Sequence, residues 1–384
     1  MFKGLFTTRR LAMLGSLALL AGCTVIPKGG PQTAPTPAAT DTAPDSDRLP
    51  TDSERHRIAL LLPLSGPNAA TGQSIANATT MAVLDTNAQN LRITTYDTAT
   101  GPAAAAARAV ADGNKLILGP LLADDVVAVA GVARPAKVPM ITYSNDVGVA
   151  DRDVFVLGQV PGQSVGRVVT YAKSRGINRI AAIIPTGVYG QRASSALLEA
   201  ATANGMLVTG IETYDRGNTS VASAVRRLKD KGGFDALLIA DGARISVQAA
   251  PIVGKNVRIL GTELWSGEST IANTASLRGA WFAAVSDGRY AQFETSYRTR
   301  FGNGPSRLAT LGYDSVLLTL KVARSWKPGT LFPTAQLYDK GGFIGLDGVF
   351  RFNSFGIAER AMDVREVGNG TFVVVDPAPA AFPQ

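Results

Sequence analysis

The chain has few side chains that could perform nucleophilic, redox or metal chemistry. Its 384 residues include one Cys, Cys23, and one His, His56. A single Cys excludes an internal disulfide and a thiolate metal cluster. A Ser-His-Asp triad would depend wholly on His56, which we expect to be solvated, and Ser194 and Ser195 have no base nearby in the sequence. No phosphate-binding Gly-Lys-Ser/Thr loop is present. We therefore predict a protein that is not an enzyme, with no catalytic residue, no cofactor and no metal.

Cys23 follows a segment ordered like a secretory signal. Basic residues precede an apolar stretch at 11–21, which is shorter than the roughly 20 residues that span a bilayer. The motif Leu-Ala-Gly-Cys at 20–23 resembles the bacterial lipobox. This resemblance implies that residues 1–22 are a lipoprotein signal peptide and that Cys23 is lipidated, which anchors the chain to a membrane. An ordinary signal peptide with an incidental Cys is the alternative. Thr24 in place of Asp implies the outer membrane, by the rule known for enterobacterial lipoproteins.

Residues 23–55 are rich in Pro, Thr, Ala and Asp and almost lack large apolar side chains. Such a composition cannot bury enough surface to offset the entropy of ordering. We predict a disordered, semi-extended tether that holds the folded part away from the membrane.

The net charge is modest. Lys and Arg number 38 and Asp and Glu number 30. Without residues 1–22 the basic residues number 35, which leaves a charge of +5. No basic run interleaved with aromatic residues occurs, so no nucleic-acid partner is expected.

Strand and helix patterns alternate from residue 57 onward. Short apolar runs separated by helical patterns indicate parallel sheets that are covered on both faces. Two such sets divide near residue 160, and each predicts one doubly wound α/β lobe. After residue 281 a strand, two helices and further strands suggest that the chain crosses back between the lobes. The predicted parallel strands lie at 57–63, 91–97, 115–119, 138–143, 179–184, 206–214, 236–240 and 257–260.

Several motifs, taken in order, resemble the type I periplasmic binding proteins, the leucine-binding branch in particular. They are Ile58-Ala59-Leu60-Leu61-Leu62-Pro63-Leu64-Ser65-Gly66-Pro67, Leu118-Gly119-Pro120-Leu121, Val138-Pro139-Met140-Ile141, Tyr189-Gly190, Tyr313-Asp314 and Gly345-Leu346-Asp347-Gly348. The resemblance implies two lobes joined by a hinge, with a ligand cleft between them, over residues 57–376. We expect lobe 1 at about 57–160 and 284–327, lobe 2 at about 161–283 and 328–376, and a tail at 377–384.

The resemblance also places a ligand site in the cleft, where the carboxyl ends of the strands lie. Glu263 is in the segment that binds an amino-acid ammonium in relatives, and Tyr189 matches a family aromatic. Ala123 stands near a family hydroxyl position, and Asp124 and Asp125 after it would repel a ligand carboxylate or cap the next helix. The expected ligand-binding residues are Ser65, Asn68, Ala123, Tyr143, Ser144, Asn145, Tyr189, Asp241, Glu263 and Trp265; for Trp265 a core position is the alternative.

Two functions of different classes fit a membrane-anchored protein with this predicted fold. The chain resembles the penicillin-binding protein activators, which are lipoproteins that stimulate a peptidoglycan synthase at the periplasmic face of the cell envelope. Three features favour this resemblance: the predicted tether, Thr24 after the Cys, and Ala123 near a position where relatives have a hydroxyl. The segment Gly261-Thr262-Glu263-Leu264-Trp265 resembles them too, although the helical-repeat domain of the best-known activators is absent. The alternative is a solute-binding lipoprotein that delivers an amino acid or similar small polar ligand to an ABC transporter permease.

Overall fold

The protein is described here by a computed structural model that covers residues 54–217 and 221–382. The predicted signal peptide, Cys23 and nearly all of the predicted tether lie outside these ranges. The first elements are β1 (His56–Leu62), α1 (Ala69–Asp85), β2 (Leu91–Asp97), α2 (Pro102–Ala111), β3 (Leu116–Leu118), α3 (Ala123–Ala133), β4 (Met140–Thr142) and β5 (Val154–Val156).

The second group of elements follows directly. It consists of α4 (Pro161–Ser174), β6 (Arg179–Pro185), α5 (Val188–Ala203), β7 (Leu207–Tyr214), α6 (Val221–Lys231), β8 (Ala236–Ile239), α7 (Ala243–Val253), β9 (Arg258–Gly261), α8 (Ser269–Asn273) and β10 (Trp281–Val285). The remaining elements are α9 (Tyr290–Phe301), α10 (Ala309–Ala323), β11 (Phe343–Gly345), β12 (Gly348–Phe352), β13 (Ala358–Arg360), β14 (Met362–Val367) and β15 (Phe372–Asp376).

The first lobe is a parallel sheet in the order β2-β1-β3-β4-β5, with helices on both faces. Alternate residues of β1 feed two cores, because successive side chains of a strand point to opposite faces. Leu60 packs with Ile75 of α1 and Leu311 of α10. Leu61 packs on the other face with Val126 of α3. The buried apolar run of β1 is thus explained by cover on both sides.

The second lobe is a sheet in the order β15-β14-β10-β9-β8-β6-β7. Strands β6 to β10 are mutually parallel. At one edge β14 pairs antiparallel with β10, and β15 pairs antiparallel with β14. Leu237 of β8 packs on the face covered by α6 and α7, and Leu238 packs on the face covered by α4 and α5. The α/β fold with two doubly wound lobes, predicted from the sequence, is confirmed.

The C-terminal hairpin belongs to a different lobe than the sequence analysis expects for residues 328–376. Strands β11, β12 and β13 form a small antiparallel sheet, and Phe343, Phe350 and Phe352 join the first lobe's core. A Cβ on Gly345 would lie 2.3 Å from the Asp314 carboxyl carbon, so only Gly permits this close approach to α10. Only β14 and β15 of this region lie in the second lobe's sheet.

The chain passes between the lobes at three places, after β5, after β10 and after β13. Helix α4 starts at once after the first crossing with Pro161 in its first turn, where the missing N–H of proline costs no helical hydrogen bond. These three short connections form the hinge region.

His56 is buried, which corrects the expectation that it is solvated. Its side chain is 2% exposed, and its ring stacks on Trp326 with a centroid distance of 4.1 Å. Burial lowers the pKa of His56 because the charged form loses its hydration. His56 thus packs against the first core through Trp326, and its Nδ1 has no hydrogen-bond partner among the described residues.

No helix within residues 54–217 and 221–382 has both the length and the hydropathy that a membrane span needs.

The placement of β12 can be tested by truncating Phe350, which is fully buried. We expect Phe350→Ala to lower the free energy of unfolding by about 3–5 kcal/mol, because it leaves a cavity in the first core. Phe355→Ala, at a side chain that is 74% exposed, should change it by less than about 0.5 kcal/mol. Urea denaturation measures both. Equal effects of the two substitutions would contradict the packing of this hairpin.

Candidate functional site

A polar cluster lies at the carboxyl ends of the second lobe's strands. Strand β9 ends at Gly261, and Thr262 and Glu263 follow it into a 3-10 turn. Tyr189 comes from the first turn of α5, directly after β6. A Cβ on Gly190 would lie 1.8 Å from the Pro185 carbonyl oxygen, so α5 can start against the end of β6 only with Gly there. The fold thereby brings Tyr189 to Glu263.

The Glu263 carboxyl group is buried and only half satisfied. The Tyr189 hydroxyl donates to its Oε1 at 3.1 Å and lies 3.0 Å from the Thr262 hydroxyl oxygen. Its Oε2 is buried without a hydrogen-bond partner among the described residues. Burial raises the pKa of Glu263 to about 7 and outweighs the hydrogen bonds that favour the carboxylate. The unpaired oxygen can accept a hydrogen bond from a cationic or N–H group of a ligand.

Asp241, after β8, is already neutralised by the protein. It accepts hydrogen bonds from Arg216 Nε and Nη2 at 2.8 and 3.1 Å and from the Tyr214 hydroxyl. The Arg216 guanidinium carbon also lies 5.7 Å from the Tyr189 ring centroid. Asp241 is therefore next to the Tyr189–Glu263 pair, but Arg216 takes the role that a ligand cation would have there.

The predicted first-lobe residues lie at the carboxyl ends of that lobe's strands. Ser65 is exposed after β1, and its hydroxyl donates to Asp97 Oδ2 at 2.9 Å. Asn68 and Ala123 stand at the starts of α1 and α3. Hydrogen bonds from the Leu64 and Ala99 amides lower the pKa of Asp97 and keep it charged.

The loop after β4 supplies two further predicted residues. The buried Ser144 hydroxyl accepts a hydrogen bond from the Asp146 amide at 3.1 Å, so it stabilises the loop. Asn145 is exposed.

Tyr143 and Trp265 are buried aromatic residues of the lobe cores. Tyr143 is 2% exposed in the first core, and its hydroxyl lies 2.9 Å from that of Ser315. Trp265 is fully buried, and its indole N–H donates to the Asp241 carbonyl at 2.9 Å and to Ser246 Oγ at 3.0 Å. Both aromatic rings are buried beneath the loops of the site, so neither is placed to contact a ligand in this structure.

The first-lobe wall carries carboxylates where a ligand carboxylate would need donors. Asp97, Asp124, Asp125 and Asp146 all follow strands of this lobe at the carboxyl end. Asp124 and Asp125 occupy the first turn of α3, where they interact favourably with the helix dipole. Burial, together with the neighbouring Asp124, raises the pKa of Asp125 above its ordinary value. An anionic group would be repelled by this wall.

An ion pair joins the two lobes across the cleft. Arg192, one turn into α5, pairs with Asp146 of the first lobe, and its Nη1 lies 3.5 Å from the Asn145 carbonyl oxygen. Although burial opposes ionisation, Arg192 and the Gly148 amide hold the pKa of Asp146 below its ordinary value. The cleft is thus closed here by the chain's own side chains.

Four of these participants were not predicted from the sequence as site residues: Asp146, Arg192, Tyr214 and Arg216. Tyr214 ends a predicted strand, and Arg216 follows it by two residues. Both could have been predicted, because ligands of doubly wound sheets bind at the carboxyl ends of the strands. Arg192 lies within a helix, and its partner is 46 positions away in another lobe; no local pattern indicates such a pair.

Within the described ranges, no group of three or more His, Cys, Asp or Glu side chains is arranged to hold a metal ion.

The buried carboxyl of Glu263 predicts a pH-dependent loss of stability. The group titrates near 4.5 when unfolded and near 7 when folded, so the native state alone keeps its proton between these values. The free energy of unfolding must fall as the pH rises through this window. Glu263→Gln removes the titration, so at pH 8 the variant should be more stable than the parent chain by up to about 3 kcal/mol. At pH 4 the two should be nearly equal.

The control is Glu268→Gln, five positions along the chain at an exposed side chain. It removes the same charge without a buried carboxyl, so the difference from the parent should stay small at both pH values. Urea denaturation at pH 4, 6 and 8 compares the three proteins. A pH-independent effect of Glu263→Gln would contradict the raised pKa.

The cross-lobe ion pair predicts that Arg192→Gln favours an open cleft. A partly exposed pair contributes about 0.2–1 kcal/mol, so the open population should rise by up to about fivefold. Small-angle X-ray scattering should show a larger radius of gyration. Arg227→Gln breaks a pair with Glu212 inside one lobe and should leave the radius unchanged. An identical response of the two variants would show that Arg192 does not hold the lobes together.

Known structures share this architecture at low sequence identity. A leucine-binding protein of Thermotoga maritima is 22% identical with a TM-score of 0.63, over 85% of this chain and 98% of that one. A branched-chain amino acid ABC transporter periplasmic ligand-binding protein of Burkholderia xenovorans is 16% identical with a TM-score of 0.70, over 85% and 96%. An isoleucine complex of a branched-chain amino acid transporter substrate-binding protein of Streptococcus pneumoniae is 20% identical with a TM-score of 0.62, over 84% and 100%. At these identities the likeness shows the fold alone.

Sequence comparison finds a relative and a family. An uncharacterized protein of Rickettsia prowazekii is 26% identical over 175 residues, which are 45% of this chain. The chain spans about half, 47%, of that relative's length. Residues 56–371 match the family described as "Periplasmic binding protein". With two doubly wound lobes and a site at the carboxyl ends of their strands, this chain belongs to the periplasmic binding protein family and has its type I, leucine-binding-protein-like fold.

Proposed function

We propose that this chain is a non-enzymatic cell-envelope lipoprotein of the penicillin-binding protein activator kind, which regulates peptidoglycan synthesis by contacting a synthase. The observation that carries the proposal is the cleft itself. Arg192 and Asp146 close it from opposite lobes, and Arg216 occupies Asp241. A cleft filled by the chain's own ion pairs suits a protein that acts through its surface.

The charge of the first-lobe wall supports the same proposal. An amino acid brings a carboxylate, which needs hydroxyl or amide donors when it is buried. This wall instead presents Asp97, Asp124, Asp125 and Asp146, and Ala123 has no donor side chain. Two of the structures named above are a leucine-binding protein and an isoleucine complex, and such a ligand would meet carboxylates here.

Attachment to the envelope completes the proposal. Lipidation of Cys23 would place the chain at the membrane, in the outer membrane by the sorting rule for Thr24. The Pro-rich tether from 23 to 55 would let the two-lobed domain reach a synthase across the periplasm.

The test measures synthase binding and glycan polymerisation with purified residues 24–384. We expect the protein to be retained by a bifunctional penicillin-binding protein and to increase its polymerisation rate. Absence of both effects with every bifunctional synthase of the source cell would overturn the proposal.

A second function is favoured by one observation, the unpaired Glu263 Oε2. Beside the Tyr189 hydroxyl, it is arranged to accept a ligand's cationic group, as in relatives that bind amino acids. The chain would then be a solute-binding lipoprotein that delivers a small polar ligand to an ABC transporter permease. A thermal-shift screen with amino acids and short peptides tests it, since a ligand at 100 times its Kd adds about 2.7 kcal/mol of stability.

Locking the cleft separates the two functions in one protein. Residues 24–384 contain no Cys, so Asp146→Cys and Arg192→Cys can be joined by a short bismaleimide. A protein that acts through its surface should stimulate the synthase equally when locked, whereas a solute receptor should lose ligand binding. The unlinked double variant is the control for the two substitutions. Loss of synthase stimulation only on cross-linking would contradict action by the closed form.

A further inference from the structure

A cavity lies in the second lobe at the end opposite to the Tyr189–Glu263 cluster. Its volume is about 610 Å³, within the range of small-molecule sites. It is bounded by the turn before β9, by the residues that lead into β10 and by the end of α4. These segments meet at the amino ends of β8 and β9, so the cavity is separate from the interlobe cleft.

Four cations from three segments line this cavity: Arg175, Lys255, Arg258 and Arg278. None of them forms an ion pair with a carboxylate in the part of the chain that the structure describes. The one acid of the lining, Asp235, already accepts the Arg179 amide at 3.0 Å. The cavity therefore has a strong excess of positive charge.

Arg258 is held in place rather than free in solvent. Its guanidinium carbon lies 4.2 Å from the centroid of the Trp281 ring, and its Nη1 donates to the Gly279 carbonyl. The Trp281 indole is fixed in turn, since its N–H donates to Glu366 Oε2 at 2.9 Å. A preorganised guanidinium loses less entropy on binding an anion than a free one.

We propose that this cavity binds a small anion with several carboxylate or phosphate groups. Guanidinium groups match both kinds of oxyanion through paired N–H donors. Four cations that converge on one volume favour a multivalent anion over a single charge. Solvated cations that serve only solubility would need neither convergence on a cavity nor an Arg stacked against a buried Trp.

The test titrates the full-length chain with citrate and with tripolyphosphate by isothermal calorimetry. We expect saturable binding that weakens as the salt concentration rises from 0.05 to 0.5 M, because added salt screens the attraction. Binding of citrate alone would identify carboxylates as the recognised groups, and binding of tripolyphosphate alone would identify phosphates. No saturable binding of either anion would overturn the proposal.

A matched pair of variants shows whether the cavity is the site. Lys255→Gln with Arg278→Gln removes two exposed cations of the cavity and should weaken binding at least about tenfold. Lys327→Gln with Arg324→Gln removes the same charge on the exposed surface of the first lobe and should change affinity less than about twofold. Circular dichroism and melting curves establish that both variants fold. Equal weakening by the two pairs would show binding by net charge and would overturn the proposed site.

Discussion

The relative position of the lobes depends on charges buried in the hinge region. Arg360, at the third crossing, is 1% exposed at its side chain, and its Nη1 lies 3.9 Å from both Asp314 and Asp347. Arg307 donates to Asp347 at 2.7 Å, and Gln159 of the first crossing donates to it at 3.2 Å. One buried cluster thus links α10, the C-terminal hairpin and two of the three connections. These groups hold two of the three interlobe connections together, and the position of one lobe relative to the other depends on them.

A cluster of this kind gives geometry rather than great stability. Burying ions costs free energy that their attraction only partly returns, whereas removing one partner costs about 3–5 kcal/mol. Asp314 and Asp347 share the Arg360 guanidinium. Burial and the nearby Asp347 raise the pKa of Asp314 to about 7. Arg307 and Arg360 keep the pKa of Asp347 low despite burial. A rearrangement that separated these groups would therefore leave a buried charge without its partner.

The sequence predicts much of the lobes and less of their assembly. Alternating strands and helices are local patterns, so eight of the strands β1 to β9 were predicted close to their observed ranges. The three-residue strand β5 (Val154–Val156) was not predicted, because so short a run has no periodicity of its own. The hairpin at 343–360 was assigned to the wrong lobe, because its apolar pattern predicts burial but not which core receives it. Its place depends on tertiary contacts with α10, such as the close approach of Gly345 to Asp314. The prediction that His56 is solvated was wrong for a related reason, because the ring that covers it, Trp326, lies 270 positions away in the sequence. The loops that follow the strands predicted where the site lies. The burial of Tyr143 and Trp265 could not be predicted in this way, because it depends on tertiary packing.

The cleft's charges also restrict what any ligand could be. The ion pairs of Arg192 and Arg216 are partly exposed, so a ligand could displace either at a cost of about 1 kcal/mol. The buried Glu263 is more selective. With a pKa of about 7 it is half protonated at neutral pH, and a cation that binds its Oε2 must also drive off that proton. A ligand without a cationic or N–H group gains nothing at Glu263 Oε2, and a ligand with a carboxylate meets the aspartates of the first lobe. The proposed action through the surface thus depends on Arg192 and Arg216 keeping these positions, whereas a zwitterionic ligand would have to displace them and lie beside the aspartates of the first lobe.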